Sequence, residues 1–389
     1  MKVLFVHDFR AYIHYKNVYT TNLSYDIFKS RYLNVFDEIV ICNRCFNVSE
    51  ELNDKMVLAN GDGVNFLGNI PFFKGPDVFL NRKVKKVIKE EVSRNDVVII
   101  RLDSFLGIMA INECKKQNKP YLIELVGCAW DSFWNHGLYG KVLAPFLYMK
   151  TKREVWNAKY VIYVTNKFLQ GRYPTKGLNT NCSNVNLEKL DVHFLENRIN
   201  KIKNRCGKKI VIGTVAALNV KYKGQQYIIQ ALSRLKELGI QNFEYQLIGG
   251  GDKAYLESVA KKYNVMDSVK FIGPVEHAKV FRWMDEIDIY AQPSRQEGLP
   301  RALIEAMSRA LPCLGANTAG IPELIDEKYI FSNSSNNIKE ICSILIRMLD
   351  KEQCLIQARR NFKEAKVYER ELIDRRRKEF LERFRNDSY

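Results

Sequence analysis

Short apolar runs and amphipathic stretches alternate along this chain twice over, and no other feature limits the fold as much. In the first half the runs are "KVLFVH", "EIVIC", "VVIIRL", "YLIELV" and "YVIYV". Each is short, rich in β-branched residues and bounded by polar ones, which is the pattern of a buried strand. Stretches of helical period separate them, among them "NRKVKKVIKEEVSR" and "FLGIMAINECKKQ". A second series runs through "KKIVIGTVA", "YQLIG", "VKFIG", "IDIYAQP" and "PCLGA", with helices such as "GQQYIIQALSRLKEL" and "RALIEAMSRA" between. Parallel strands need a crossover, and a helix supplies it, so the alternation predicts two α/β domains with parallel sheets.

The stretch "PTKGLNTNCSNVNLEKLDVHFLENRINKIKNRCGKK" is polar, rich in asparagine and without a long apolar run. It marks the boundary, and the expected organisation is a first domain at 1–180, a linker at 181–207 and a second domain at 208–365. The charged end, 366–389, reads as a long surface helix with the option of packing back on the first domain.

Composition narrows the class. With 27% charged and 46% hydrophobic residues the chain is globular, not disordered. The start "MKVLFVHDF" reads as a first strand, and no run reaches the ~18 apolar residues of a membrane span, so a soluble or peripheral cytoplasmic protein is expected. Nine cysteines, an odd and scattered set, fit a reducing compartment. Cys42 and Cys45 form a lone C-x-x-C, better read as two thiols at a strand end than as a redox or zinc site. His7, His14, His136, His193 and His277 include no H-x-x-x-H pair, and no metal or cofactor is expected. A net charge of +17 asks for anionic partners, yet no nucleic-acid-binding motif accompanies it.

Chemistry concentrates in the second half. "VAALNVKYKGQQYII" passes from strand to helix with Lys223 and Gly224 at the turn, and a lysine beside a helix N-terminus suits a diphosphate. "LIGGGDKAYLE" sets Gly249, Gly250 and Gly251 between strand and helix, either a tight turn or a ligand contact. "PSRQEGLPRALIEAM" holds Glu297 in a tight loop and Glu305 in the helix that follows. A carboxylate reads vicinal hydroxyls by accepting two hydrogen bonds, although Glu305 can instead pair with Arg301 at i,i−4.

Taken in order, "YKGQQYIIQAL", "IGGGDKAYLESVAKKY", "VKFIGPV" and "QPSRQEGLPRALIEAMSRALPCLGANTAGIPELI" resemble the donor domain of the group 1 (family 4) retaining glycosyltransferases of polysaccharide-biosynthesis type. Glu297 and Glu305 match that family's E-x7-E motif, and the resemblance is specific from about Lys208 to Ile325. It implies the GT-B fold, two Rossmann-like doubly wound domains facing across a cleft, and metal-independent hexosyl transfer from a nucleoside diphosphate sugar to a glycan or lipid-linked acceptor. By resemblance Glu305 binds the ribose, Glu297 the sugar, and Lys223 the diphosphate. Lys221, Gly224, Gly250, Val275, Gly298 and Leu299 complete the donor site. Two departures stand out: Ala217 lies near the place of a second family cation, which Lys221 would replace, and the first βα loop, "HDFRAYIHYKNVY", has no glycine.

In the first half "ELVGCAWDSFWNHG" follows a strand and offers Asp131 and His136 as acceptor-side residues, where the plainer reading is a helix cap and a surface histidine. Downstream, "GLYGKVLAPFLYMKTKREVW" places Leu138, Val142, Phe146 and Met149 near helical spacing beside Leu143 and Leu147, with Lys141, Lys150, Lys152 and Arg153 adding charge and Pro145 expected to start or break the helix. It fits an internal helix or one lying on an anionic membrane at its inner face. The rival functions are a nucleotide-sugar epimerase of the same architecture and a basic nucleic-acid-binding protein. The epimerase would turn over nucleotide sugar alone, without an acceptor, and the E-x7-E context argues against the nucleic-acid-binding protein.

Overall fold

The computed structural model describes residues 1–388 apart from 22, 50–55, 72, 74, 135, 136, 208 and 335, and the backbone alone at 137–139. It divides into two compact units, Met1–Cys182 with Ile373–Tyr389, and Ser183–Leu372.

The first unit is built on a nine-stranded sheet. Its strands are β1 (Lys2–His14), β2 (Asn17–Thr20), β3 (Glu38–Asn47), β4 (Val57–Leu58), β5 (Val64–Phe66), β6 (Val97–Leu102), β7 (Tyr121–Leu125), β8 (Tyr160–Tyr163) and β9 (Leu178–Asn181). The parallel part runs β5, β3, β1, β6, β7, β8, β9. Every residue of β6, "VVIIRL", is buried, as a central parallel strand flanked by helices must be. The one charge in it, Arg101, donates two hydrogen bonds to Glu124 on β7, at 2.7 and 3.0 Å.

One segment departs from the expectation. "HDFRAYIHYKNVY", anticipated as the first βα loop, instead prolongs β1 to His14 beyond an irregularity between Val6 and Arg10. The chain then turns at Tyr15, φ 54°, into an antiparallel pairing with β2. Aromatic and β-branched residues on this stretch find sheet partners, Tyr12 stacking on Phe46 at 5.6 Å, and pairing outcompetes the loop.

The second unit has β10 (Ile210–Val215), β11 (Phe243–Ile248), β12 (Val269–Gly273), β13 (Ile289–Gln292), β14 (Cys313–Ala316) and β15 (Ile330–Phe331). They lie in the order β12-β11-β10-β13-β14-β15, parallel throughout. Counted from β10, that is third, second, first, fourth, fifth, sixth, the doubly wound order of a Rossmann domain. In the first unit β5, β3, β1, β6, β7, β8 repeat the same order.

The stretch 181–207, expected as the linker, belongs from Ser183 onward to the second unit. It carries the helix His193–Lys203, whose buried Arg198 donates to the carbonyls of Ile287 (2.5 Å) and Met284 (2.7 Å) in the second unit. Leu195, Ile199 and Ile202 do carry the helical spacing and, with Phe194, pack on the core of the second unit, a signal hidden by the polar, asparagine-rich residues on either side. At the far end the helix Arg370–Asn386 gives its residues from Ile373 onward to the first unit. There Arg377, fully buried, approaches Glu124 at 3.5 Å. All nine cysteines are free thiols, and burial pushes Cys45 up to about 11 and Cys42 higher still.

Candidate active site

A doubly wound sheet opens a crevice where the strand order reverses, because the loops leaving the two central strands run to opposite sides. In the second unit that point lies between β10 and β13. After β10 the chain makes a single tight turn, Lys221–Lys223, and enters the helix Gln225–Glu237 through Gly224 at φ 79°. A Cβ on Gly224 would lie 1.9 Å from the carbonyl oxygen of Pro293, just past β13, so only glycine lets the two loops meet. The backbone N–H of Arg295 donates to the Tyr222 carbonyl at 2.7 Å across the same seam. The glycine run after β11 packs on this loop as well. Gly249 (φ 156°) would place a Cβ 1.9 Å from the Ala216 carbonyl oxygen, and the Gly250 carbonyl accepts from Leu218 N–H at 2.9 Å.

The charged groups converge on this frame. Lys223 Nζ meets Glu297 Oε1 at 2.6 Å, and Gln292 Nε2, at the end of β13, donates to the same oxygen at 3.1 Å. Tyr290 in turn donates to Gln292 Oε1 at 3.1 Å, which fixes the amide's orientation. Glu305 is mostly buried on the helix Arg301–Ser308, and its Oε1 meets His277 Nε2 at 3.1 Å. The hydrogen bond to Glu305, against partial burial and the Arg301 charge, raises His277 above 6.5. Burial lifts the Tyr290 hydroxyl far above its usual range, and the charges of Glu305 and Glu297 add to it, so both carboxylates stand within electrostatic reach of one tyrosine. The carbonyl of Gly298 accepts from Gly320 N–H at 2.9 Å, tying the glutamate loop to the turn before the helix Ile321–Leu324, while Leu299 and Val275 lie half-buried.

Lys221 behaves differently from Lys223. Its ammonium sits over the Tyr255 ring, 4.6 Å from the centroid, on the helix that follows the three glycines. Sequence reading missed two groups. His277 lacked any motif, and only the fold brings the start of its helix to Glu305. Arg295, two residues before Glu297, lays its guanidinium 4.3 Å over the Tyr227 ring with its Nε buried and unbonded.

The first unit has its own reversal point, between β1 and β6, and three aspartates gather near it. Asp8 accepts from Ser104 Oγ (2.9 Å) and from the N–H groups of Phe105 (2.7 Å) and Leu106 (3.0 Å), capping the helix Phe105–Lys116. Burial nevertheless holds its carboxyl above the usual range. With Asp103, Ser104, Phe133 and Thr151 it lines a cavity of about 40 Å³. Asp131 lies on the short helix Ala129–Trp134, raised by burial against the opposing charge of Arg172 and nudged up by Asp103. It sits inside that helix and not at its cap position, with its Oδ1 3.9 Å from Arg172. His136 lies outside the described residues. Among the described residues no group of His, Cys, Asp and Glu is arranged to hold a metal ion, and no helix is long and apolar enough to cross a membrane.

Residues 196–367 match the family model of the glycosyl transferases group 1. The chain is 36% identical over 339 residues to Protein CapJ of Staphylococcus aureus, covering 85% of this chain and 82% of that one. It is 31% identical to the amylovoran biosynthesis glycosyltransferase AmsK of Erwinia amylovora over 183 residues, 45% of this chain and 42% of that one. Among solved structures it is similar to HepE of Anabaena, determined in complex with UDP, with a TM-score of 0.64 over 96% of this chain and 98% of that one at 16% identity. That likeness is one of fold, the two Rossmann-like domains of GT-B.

Proposed function

Because this chain belongs to the group 1 glycosyl transferases, we propose that it moves a hexosyl group from a nucleoside diphosphate sugar to a glycan or lipid-linked acceptor, with retention at the anomeric carbon and without a metal ion. The observation that carries the reading is the Lys223–Glu297 pair at the β10/β13 reversal, 2.6 Å long and braced by Gln292. Glu297 then takes sugar hydroxyls and frees the Lys223 ammonium for the diphosphate. Charge grows on the leaving phosphate as the glycosidic bond breaks, and a fixed ammonium beside the N–H groups opening the helix Gln225–Glu237 lowers that barrier. These groups occupy the role a metal ion would otherwise fill. Glu305, held by His277, accepts from the ribose hydroxyls, with Gly224, Gly250, Val275, Gly298 and Leu299 shaping the donor pocket. Asp8, Asp103 and Asp131 line the acceptor side in the first unit.

The UDP bound by HepE supports a nucleotide donor, and the amylovoran biosynthesis relative supports a polysaccharide destination. The test is thermal unfolding of the purified protein against UDP-, GDP- and other nucleotide sugars, since a ligand that binds only the folded state raises its Tm. At least one should raise Tm and support transfer to a membrane-extracted acceptor, and Glu297→Gln should abolish most turnover. No shift with any of them, or turnover unchanged in Glu297→Gln, sinks the assignment.

A further inference from the structure

We propose that the outer face of the helix Gly137–Trp156 is a docking surface for an anionic lipid bilayer. The helix is continuous, with Pro145 inside it and not at an end. It has two faces of opposite fate. Ala144, Leu147, Thr151 and Val155 are buried, whereas Val142, Phe146 and Met149 are 77%, 66% and 62% exposed. Spacings of four and three residues put those three side chains on one stripe. A large apolar stripe left in water is unfavourable, and a partner that accepts it is the physical reason to keep it.

Charge identifies the partner. Lys141 and Arg153 are exposed along the same helix, which carries four cations and one acid, Glu154. That acid is buried and already paired with Lys115 and Lys150, so Lys141, Lys152 and Arg153 keep their charge for another surface. Two half-exposed tryptophans accompany the helix, Trp134 under Lys141 at 5.8 Å and Trp156 under Lys176 at 5.0 Å. Apolar stripe, interfacial tryptophans and a surplus of lysine and arginine together match the acyl boundary and phosphates of an anionic leaflet, whereas a protein partner needs no such sign bias.

The inner face gives the docking a purpose. Leu147 and Thr151 line the same cavity as Asp8 and Asp103. One helix therefore turns its inner side to the proposed acceptor-side aspartates and its outer side to the lipid, so docking holds that part of the first unit beside a lipid-borne acceptor. This purpose rests on the proposed function; the surface itself does not.

Flotation with phosphatidylglycerol-containing vesicles tests it. Wild type should float with them at low salt, be released by high salt because the Debye length shrinks to about 3 Å at 1 M, and ignore phosphatidylcholine vesicles. The combined change Val142→Ser, Phe146→Ser and Met149→Ser should abolish flotation. The pair Lys141→Glu and Arg153→Glu should weaken it by roughly a thousandfold, from ~1 kcal/mol for each unit of charge that the two reversals change. Unchanged circular dichroism and Tm would show that both variants fold. Wild type that stays unbound at low salt overturns the proposal, as does flotation that survives both variants. A dimer that forms in solution and is lost in the apolar variant, with no flotation, reassigns the stripe to a second copy and overturns it too. Nucleotide-sugar thermal shifts are read in parallel: shifts without flotation reject this surface alone, and flotation without shifts rejects the donor assignment alone.

Discussion

Lys223 and Glu297 neutralise each other at 2.6 Å, so each is oriented before any ligand arrives. Removing the ammonium leaves a half-buried carboxylate without its cation, at the place where phosphate charge would develop. Lys223→Ala should cost about 2–4 kcal/mol in transition-state stabilisation, read as kcat/KM for transfer. Lys221 rests on an aromatic ring, and Lys221→Ala should cost no more than about 1 kcal/mol, the scale of an exposed cation–π contact. An equal loss in both would restore Lys221 as the missing second cation. His277 adds a pH dependence. Its pKa is raised above 6.5 by the Glu305 carboxylate, with Arg301 opposing and the Phe281 ring edge-on at 5.3 Å. The charged hydrogen bond is therefore complete below 6.5 and fades as pH climbs through the raised value. Donor KM should rise over that window in the wild type and stay level in His277→Gln. A level wild-type profile would mean that the histidine does not orient Glu305.

At the scale of the element, the site depends on two loops brought close enough to touch. Gly224 combines a positive φ of 79° with a Cβ position 1.9 Å from the Pro293 carbonyl oxygen. Gly239 has nearly the same φ, 78°, with nothing near its Cβ position. The pair separates backbone strain from crowding. Gly239→Ala should destabilise by about 1 kcal/mol, the left-handed penalty alone. Gly224→Ala adds overpacking, about 1–3 kcal/mol more, and should also weaken donor binding because the Lys223 turn must lift off β13. Denaturant unfolding and donor thermal shifts together check this, and equal costs at the two glycines would refute the crowding argument.

For the whole molecule, acid stability hinges on the buried cluster of Arg101, Glu124, Tyr32 and Arg377, to which the C-terminal helix contributes an arginine. Burial alone would raise Glu124, but the charges of Arg101 and Arg377 and the hydrogen bonds from Arg101 and Tyr32 bring it from 4.5 down to about 2. An unfolded chain takes up that proton first, so the contribution is complete above 4.5 and lost as pH falls toward about 2. His7 acts in the same direction over a higher window. Burial, then the charges of Arg101 and Arg44, push it from 6.5 down to about 3, so stability declines as pH falls below 6.5. Urea unfolding against pH should show the slope steepen below 4.5 in the wild type, and Glu124→Gln should remove that steepening. Arg377→Leu should cost about 3 kcal/mol at neutral pH, less than a full pair because Arg101 remains. A shallow, unchanged acid profile in Glu124→Gln would show that the cluster does not set the acid limit.

The alternation of strand and helix determined two Rossmann-like sheets, because buried parallel strands are uniformly apolar and legible one at a time. Local chemistry also marked Lys223, Gly224, Glu297 and Glu305, since glycine at a strand-to-helix turn and carboxylates in a short motif are features of contiguous sequence. Tertiary structure decided what distance along the chain conceals. His277 reaches Glu305 across 28 positions, and Arg377 reaches Glu124 across the length of the second unit. It also turned the expected first loop into a hairpin and placed Asp8 and Asp103 on one cavity. Each of these is a pairing of residues whose value depends on the partner, and no propensity of the separate stretches contains it.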